Sequence, residues 1–230
     1  MWTDIVLASF WGGVVALDTT AVLQIMFSRP LVACSIMGVL LGNFPIGFTL
    51  GIIFELLYIR EIPAGAARFA EGNVGSTAAT AVAVLTIRQA PSRESMVVFL
   101  ALILGLLISS GGGKLVSMIR HINGKLAIPL FFKESVKTRH VVLCILAGIG
   151  LVFSLGFFCV LLTSTIFVNA IPRLVSVIPQ KYDKVVQPVM GGLLAVGCVF
   201  LIQLFWSQQK RWWLLFLGLA IGLLVYLKVM

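Results

Sequence analysis

The chain has 230 residues, 60% of them hydrophobic and 11% charged, with a formal net charge of +9 and a mean hydropathy of +1.11. Soluble domains are about 45–50% apolar and about 25% charged, so this chain has too little polar surface for a soluble fold. It predicts an all-α integral membrane protein, a polytopic helical bundle forming one membrane domain over residues 1–230. In a soluble protein this positive charge would suggest nucleic acid. Here Lys- and Arg-rich loops retained on the cytoplasmic side account for it, so the expected surroundings are a lipid bilayer and no nucleic acid.

The N-terminal MWTDIVLASFWGG lacks a basic lead and a small-residue cleavage site, and reads as a first membrane segment rather than a signal peptide. Apolar segments follow at 5–17, 31–41, 46–59, 74–87, 96–110, 141–168, 189–206 and 212–227. A straight span needs about 20 apolar residues. The last three segments approach or exceed that length, whereas the earlier ones are short and interrupted by Gly, Pro or charge. Residues 1–113 therefore predict broken or re-entrant helices beside a polar cavity. Residues 114–140 predict a basic loop, with Lys114, Arg120, Lys125, Lys133, Lys137 and Arg139 against Glu134. It would face the cytoplasm or lie on the membrane surface as an amphipathic segment. Residues 141–230 predict smoother C-terminal transmembrane helices, with a loop at 169–187. The pair Lys210-Arg211 is flanked by Trp206, Trp212 and Trp213 as interface anchors.

Three acids stand where acids are costly: Asp18, Glu55 and Glu71. A charge at the bilayer centre costs at least about 2.5 kcal/mol on insertion scales. The bland reading pairs each acid with a nearby base, Arg29, Arg60 or Arg68. The functional reading is a polar pocket in which carboxylates accept hydrogen bonds from hydroxyl groups; a sugar or a cation fits it. Pro30, Pro45 and Pro63 fall at segment boundaries. Gly38, Gly42, Gly47 and Gly51 recur at a spacing that offers a small-residue face for close helix packing. Cys34, Cys144, Cys159 and Cys198 sit in apolar runs without CxxC spacing and read as small buried hydrophobes. His121 and His140 read as solvated loop residues. There is no Walker A pattern, no placeable Ser/His/Asp set and no legible cofactor or metal site. Energy for transport would come from a gradient or a partner protein.

Taken in order, LDTTAVLQIMFSRPLVACSIMGVLLGN, GFTLGIIFELLYI and IPAGAARFAEGN resemble the enzyme IIC membrane component of the mannose–fructose–sorbose family of sugar phosphotransferase systems. The matching positions are Asp18, Arg29-Pro30-Leu31-Val32-Ala33, Gly38 to Asn43, Glu55, Gly65-Ala66-Ala67 and Glu71, within about residues 12–85. Departures are Pro63-Ala64 ahead of Gly65, Ala70 before Glu71, and Asn43 where the family usually has Asp. The resemblance implies a non-catalytic permease subunit of the bacterial cytoplasmic (inner) membrane, multi-pass and not itself phosphorylated. It would bind a hexose or related sugar and move it to a phosphorylated IIB protein. The implied partners are an enzyme IID membrane subunit and the IIA and IIB phosphocarriers; a homo-oligomer is also compatible with it. On this reading Asp18, Glu55 and Glu71 bind sugar, and Gln24 joins them from its place beside Asp18. Arg29, Pro30, Gly65 and Ala66 shape the pocket. An ion- or proton-coupled transporter and a non-transporting regulatory subunit are the rival readings.

Overall fold

The computed structural model describes residues 1–22, 24–59, 71–131, 137–206, 213, 216–218 and 220. Among the described residues there are seven α-helices, α1 Trp2–Thr20, α2 Pro30–Leu40, α3 Phe44–Tyr58, α4 Gly72–Ile87, α5 Glu94–Phe131, α6 Thr138–Val177 and α7 Asp183–Trp206, and no strand. Three stretches of the described residues, Pro91–Ile128, Thr138–Val177 and Gln180–Gln203, are long and apolar enough to cross a membrane. The protein is an all-α membrane protein.

The N-terminal half is broken in the expected sense. Helix α2 has 11 residues, about 16 Å at 1.5 Å per residue, roughly half the thickness of a hydrocarbon core. It turns back at once into α3, forming a helical hairpin too short to traverse. Three glycines let the two backbones touch. A Cβ on Gly38 would stand 2.7 Å from the Asn43 carbonyl oxygen, one on Gly47 would stand 2.8 Å from the Gly38 Cα, and one on Gly51 would stand 3.0 Å from the Pro30 carbonyl oxygen. Gly42 departs from that small-residue face: with φ +75° it makes the turn itself. Asn43 then starts α3, its side-chain oxygen accepting from the Ile46 N–H at 3.3 Å.

Helix α4 is the centre of the bundle, with every residue from Val74 to Ile87 buried except that Asn73 before it is half-buried. Its Gly, Ala, Ser and Thr side chains admit α1, α2, α3, α5 and α6 around it. In lipid, close van der Waals packing holds helices together, because apolar surface gains nothing by leaving the hydrocarbon. Two arginines tie one end of the bundle. Arg88, after α4, pairs with Asp4 of α1 at 2.8 Å and donates to the Leu41 carbonyl at the end of α2. Arg93 donates to the Val175 and Ile178 carbonyls at the end of α6 and to Asp183 at the start of α7.

Two expected loops are corrected. Residues 114–131 of the expected basic loop are helical, because α5 runs unbroken to Phe131. Within the Gly111-Gly112-Gly113 run, Gly112 is where another chain segment lies against the helix. A Cβ on Gly112 would stand 2.7 Å from the Cβ of Glu71, and the Glu71 N–H donates to the Ser109 carbonyl of α5 at 2.9 Å. Likewise α6 passes Val168 and continues to Val177 with Pro172 inside it, and α7 begins at Asp183, so little of the expected 169–187 loop remains. A proline within a long helix removes one internal hydrogen bond without ending it when neighbouring helices hold both sides. Residues 212–227 lie largely outside the described residues.

Helix α1 packs along α6 through Gly12, Gly13 and Gly156. A Cβ on Gly156 would stand 2.6 Å from the Cβ of Ala16. Gly156→Leu is therefore expected to force the pair apart and to lower stability by about 1–3 kcal/mol, measured as thermal unfolding in detergent. An unchanged midpoint would contradict the seam described here.

Candidate functional site

Beyond α1 the chain enters a short loop before α2. Gln24 (φ 52°) and Met26 (φ 69°) are both left-handed although neither is glycine, a conformation held only where the surroundings impose it. Asp18 imposes it. One carboxylate oxygen accepts from the Ile25 N–H at 2.9 Å and the other from the Ser28 N–H at 2.8 Å. Asp18 is only 3% exposed. It lies in the last turn of α1, where the helix dipole disfavours an anion; the two loop amides compensate it.

The loop delivers Arg29, the residue before α2, in an extended conformation, with Pro30 opening the helix. That is a favourable position for proline, whose missing N–H is not needed there. Arg29 pairs with Glu55 of α3 at 3.6 Å. The second oxygen of Glu55 accepts from the Leu31 N–H at 3.2 Å, placing an anion at the N-terminus of α2. Asp18 and Glu55 thus both hold backbone, and neither lines the polar cavity beside them.

That cavity has a volume of about 490 Å³ and is walled by the end of α1, the loop, the start of α4, α5 and α6. Its size falls in the range of small-molecule pockets. Its polar side chains are Thr19, Thr20, Gln24, Glu71, Arg120 and Asn123. The structure therefore brings Gln24 and Glu71 together. Glu71 is 3% exposed and its Oε2 has no hydrogen-bond partner among the described residues. The same is true of Asn123 Oδ1. Arg120 is within electrostatic reach of Glu71. Behind this wall Asn73 donates to Thr19 Oγ1 at 3.2 Å, joining α1 to α4. Gly65, Ala66, Arg60 and Arg68 lie outside the described residues. Among the described residues no group of three His, Cys, Asp or Glu side chains could hold a metal.

Sequence reasoning missed the wall from α5 and α6. Val116, Ile119, Arg120 and Asn123 recur every three or four residues, the spacing of one helix face. The glycine triplet ahead of them and the surrounding lysines masked that signal. Gly148, opposite Asn123, carried no signal of its own.

The family model described as "PTS system sorbose-specific iic component" matches residues 2–230. The PTS system sorbose-specific EIIC component of Lacticaseibacillus casei is 33% identical over 82 residues, 36% of this chain and 29% of that protein. The matched region thus spans less than a third of that relative. A solved structure described as "Structure of membrane protein" superimposes with a TM-score of 0.69 at 16% identity, covering 100% of this chain and 92% of that one. The cryo-EM structure of the mannose transporter ManYZ in complex with microcin E492 superimposes with a TM-score of 0.57 at 14% identity, covering 98% of this chain and 87% of that one. At these identities the structural likeness concerns the fold.

Two substitutions separate loop support from cavity shape. Asp18→Asn removes the charge and turns an amide N–H₂ toward a backbone N–H, so stability should fall by about 1.5–3 kcal/mol; an unchanged unfolding midpoint would contradict the role given to Asp18. Gly112→Leu should displace Glu71 from α5, read as faster hydrogen exchange at the Glu71 amide. Unaltered exchange there would contradict the contact.

Proposed function

Because the chain belongs to the family of sorbose-specific IIC components of the phosphotransferase system, we propose that it is the sugar-binding and sugar-translocating membrane subunit of such a system. The observation that carries this reading is the unpartnered Glu71 oxygen buried at a 490 Å³ cavity. A buried carboxylate oxygen without a donor is costly, and a ligand hydroxyl supplies the donor. Gln24 adds an amide to the same cavity, able to donate and to accept. With Arg120 beside Glu71 the described lining carries one acid and one base, a balance suited to a neutral, hydroxyl-rich molecule such as a hexose.

In this scheme Asp18 and Glu55 act on the sugar indirectly. They hold the loop and the α2–α3 hairpin that present Gln24. The sugar enters from outside, the N-terminal segments rock against the long helices, and the sugar reaches a phosphorylated IIB protein. A IID membrane subunit completes the translocator, and a IIA protein recharges IIB. The chain itself does no covalent chemistry, and it resides as a multi-pass protein in the bacterial inner membrane.

The test is reconstitution of the chain with its IID, IIA and IIB partners in vesicles supplied with phosphoenolpyruvate and D-mannose, D-fructose or L-sorbose. One of these sugars should accumulate as its phosphate, insensitive to an uncoupler, and Glu71→Gln should slow uptake at least about tenfold. Uptake that an uncoupler abolishes and phosphoenolpyruvate does not support would point to ion coupling instead.

A further inference from the structure

The cavity holds a second orphan besides Glu71, and the two come from different helices. Asn123 Oδ1 is buried without a hydrogen-bond partner among the described residues, and Asn123 lines the same space. It lies on α5, whereas Glu71 caps the start of α4. The Asn123 amide faces Gly148 of α6, where a Cβ would stand 3.6 Å from its Cγ, Oδ1 and Nδ2 alike. Gly148 puts no side chain between the amide and α6, so the amide packs against backbone at the cavity wall. Of its neighbours in the α5 and α6 lining, Val116, Ile119, Ile145 and Ile149 are apolar and offer it nothing to bond with, and Arg120, one turn away on α5, does not donate to its Oδ1.

A buried amide acceptor is destabilising unless a donor reaches it. The geometry points to Asn123 as a specificity-determining residue of the sugar site, reading one hydroxyl group of the ligand from a different helix than Glu71. This rests on the assignment of the cavity to the sugar. Two fixed acceptors on separate helices define a ligand with at least two O–H donors held apart, so the position of hydroxyls around a ring decides which sugar fits. A site built to bond a hydroxyl discriminates strongly against an analogue lacking it, because the site's own polar group is then left unpaired.

The test uses the full chain co-purified with its IID subunit. Binding is measured for D-mannose, D-fructose and L-sorbose, then for the monodeoxy series of whichever binds. Wild type should lose about ten- to a hundredfold in affinity when one particular hydroxyl is removed. Asn123→Leu should bind the parent sugar that much more weakly and lose discrimination at that one carbon while keeping it at the others. Asn123→Asp keeps an acceptor and should retain the discrimination, which guards against a variant that merely misfolds. Equal weakening of every analogue by Asn123→Leu, or unchanged selectivity with Glu71→Gln still impaired, overturns the role of Asn123 alone. Binding indifferent to Glu71→Gln, Gln24→Ala and Asn123→Leu together, or no binding of any of the three sugars, overturns the cavity assignment as well.

Discussion

A bilayer offers no water to the ends of a helix, and this chain has many helix ends inside or near one. Each leaves N–H or C=O groups that must find partners within the protein. The charged and polar side chains of the N-terminal half answer that constraint one by one. Asp18 takes the loop amides of Ile25 and Ser28, and Glu55 takes the Leu31 amide and the Arg29 guanidinium. Arg88 and Arg93 do the same for the carbonyl ends of α2 and α6. Broken helices are stable here because these side chains replace the missing turns.

That constraint also sorts the acids. An intramembrane carboxylate surrounded by donors is structural, and one left with an unpaired oxygen is available to a ligand. Both oxygens of Asp18 and of Glu55 have partners, whereas Glu71 Oε2 has none among the described residues, and the proposed sugar site rests on that difference. The sorting depends on where amides point, which follows from the left-handed residues Gln24 and Met26 and from the Pro30 helix start. Support of the loop by Asp18 in turn fixes Gln24 at the wall of the cavity that Glu71 lines.

Much of this was legible in the sequence. Hydropathy shows a helical membrane protein, the short interrupted segments show broken helices, and Pro30 and Pro45 mark where helices begin. The three acids stand out by their cost. The difference between them does not, because it depends on how many backbone amides reach each carboxylate. The path of α5 was also hidden. Gly111 to Gly113 interrupts the apolar run in the sequence, yet the helix continues through it, and the missing side chain of Gly112 makes room for Glu71. The α5 wall with Arg120 and Asn123 then follows from a helix that local composition does not announce.

The central claim is that Glu71 meets the ligand whereas Glu55 supports the scaffold. The most direct measurement compares Glu55→Gln and Glu71→Gln for both thermal midpoint and affinity for the transported hexose, in the complex with IID. The account predicts that Glu71→Gln keeps or raises the midpoint and loses affinity, while Glu55→Gln lowers the midpoint through the broken Arg29 pair. A stable Glu55→Gln protein that no longer binds sugar, beside a Glu71→Gln protein that binds it normally, would contradict the account.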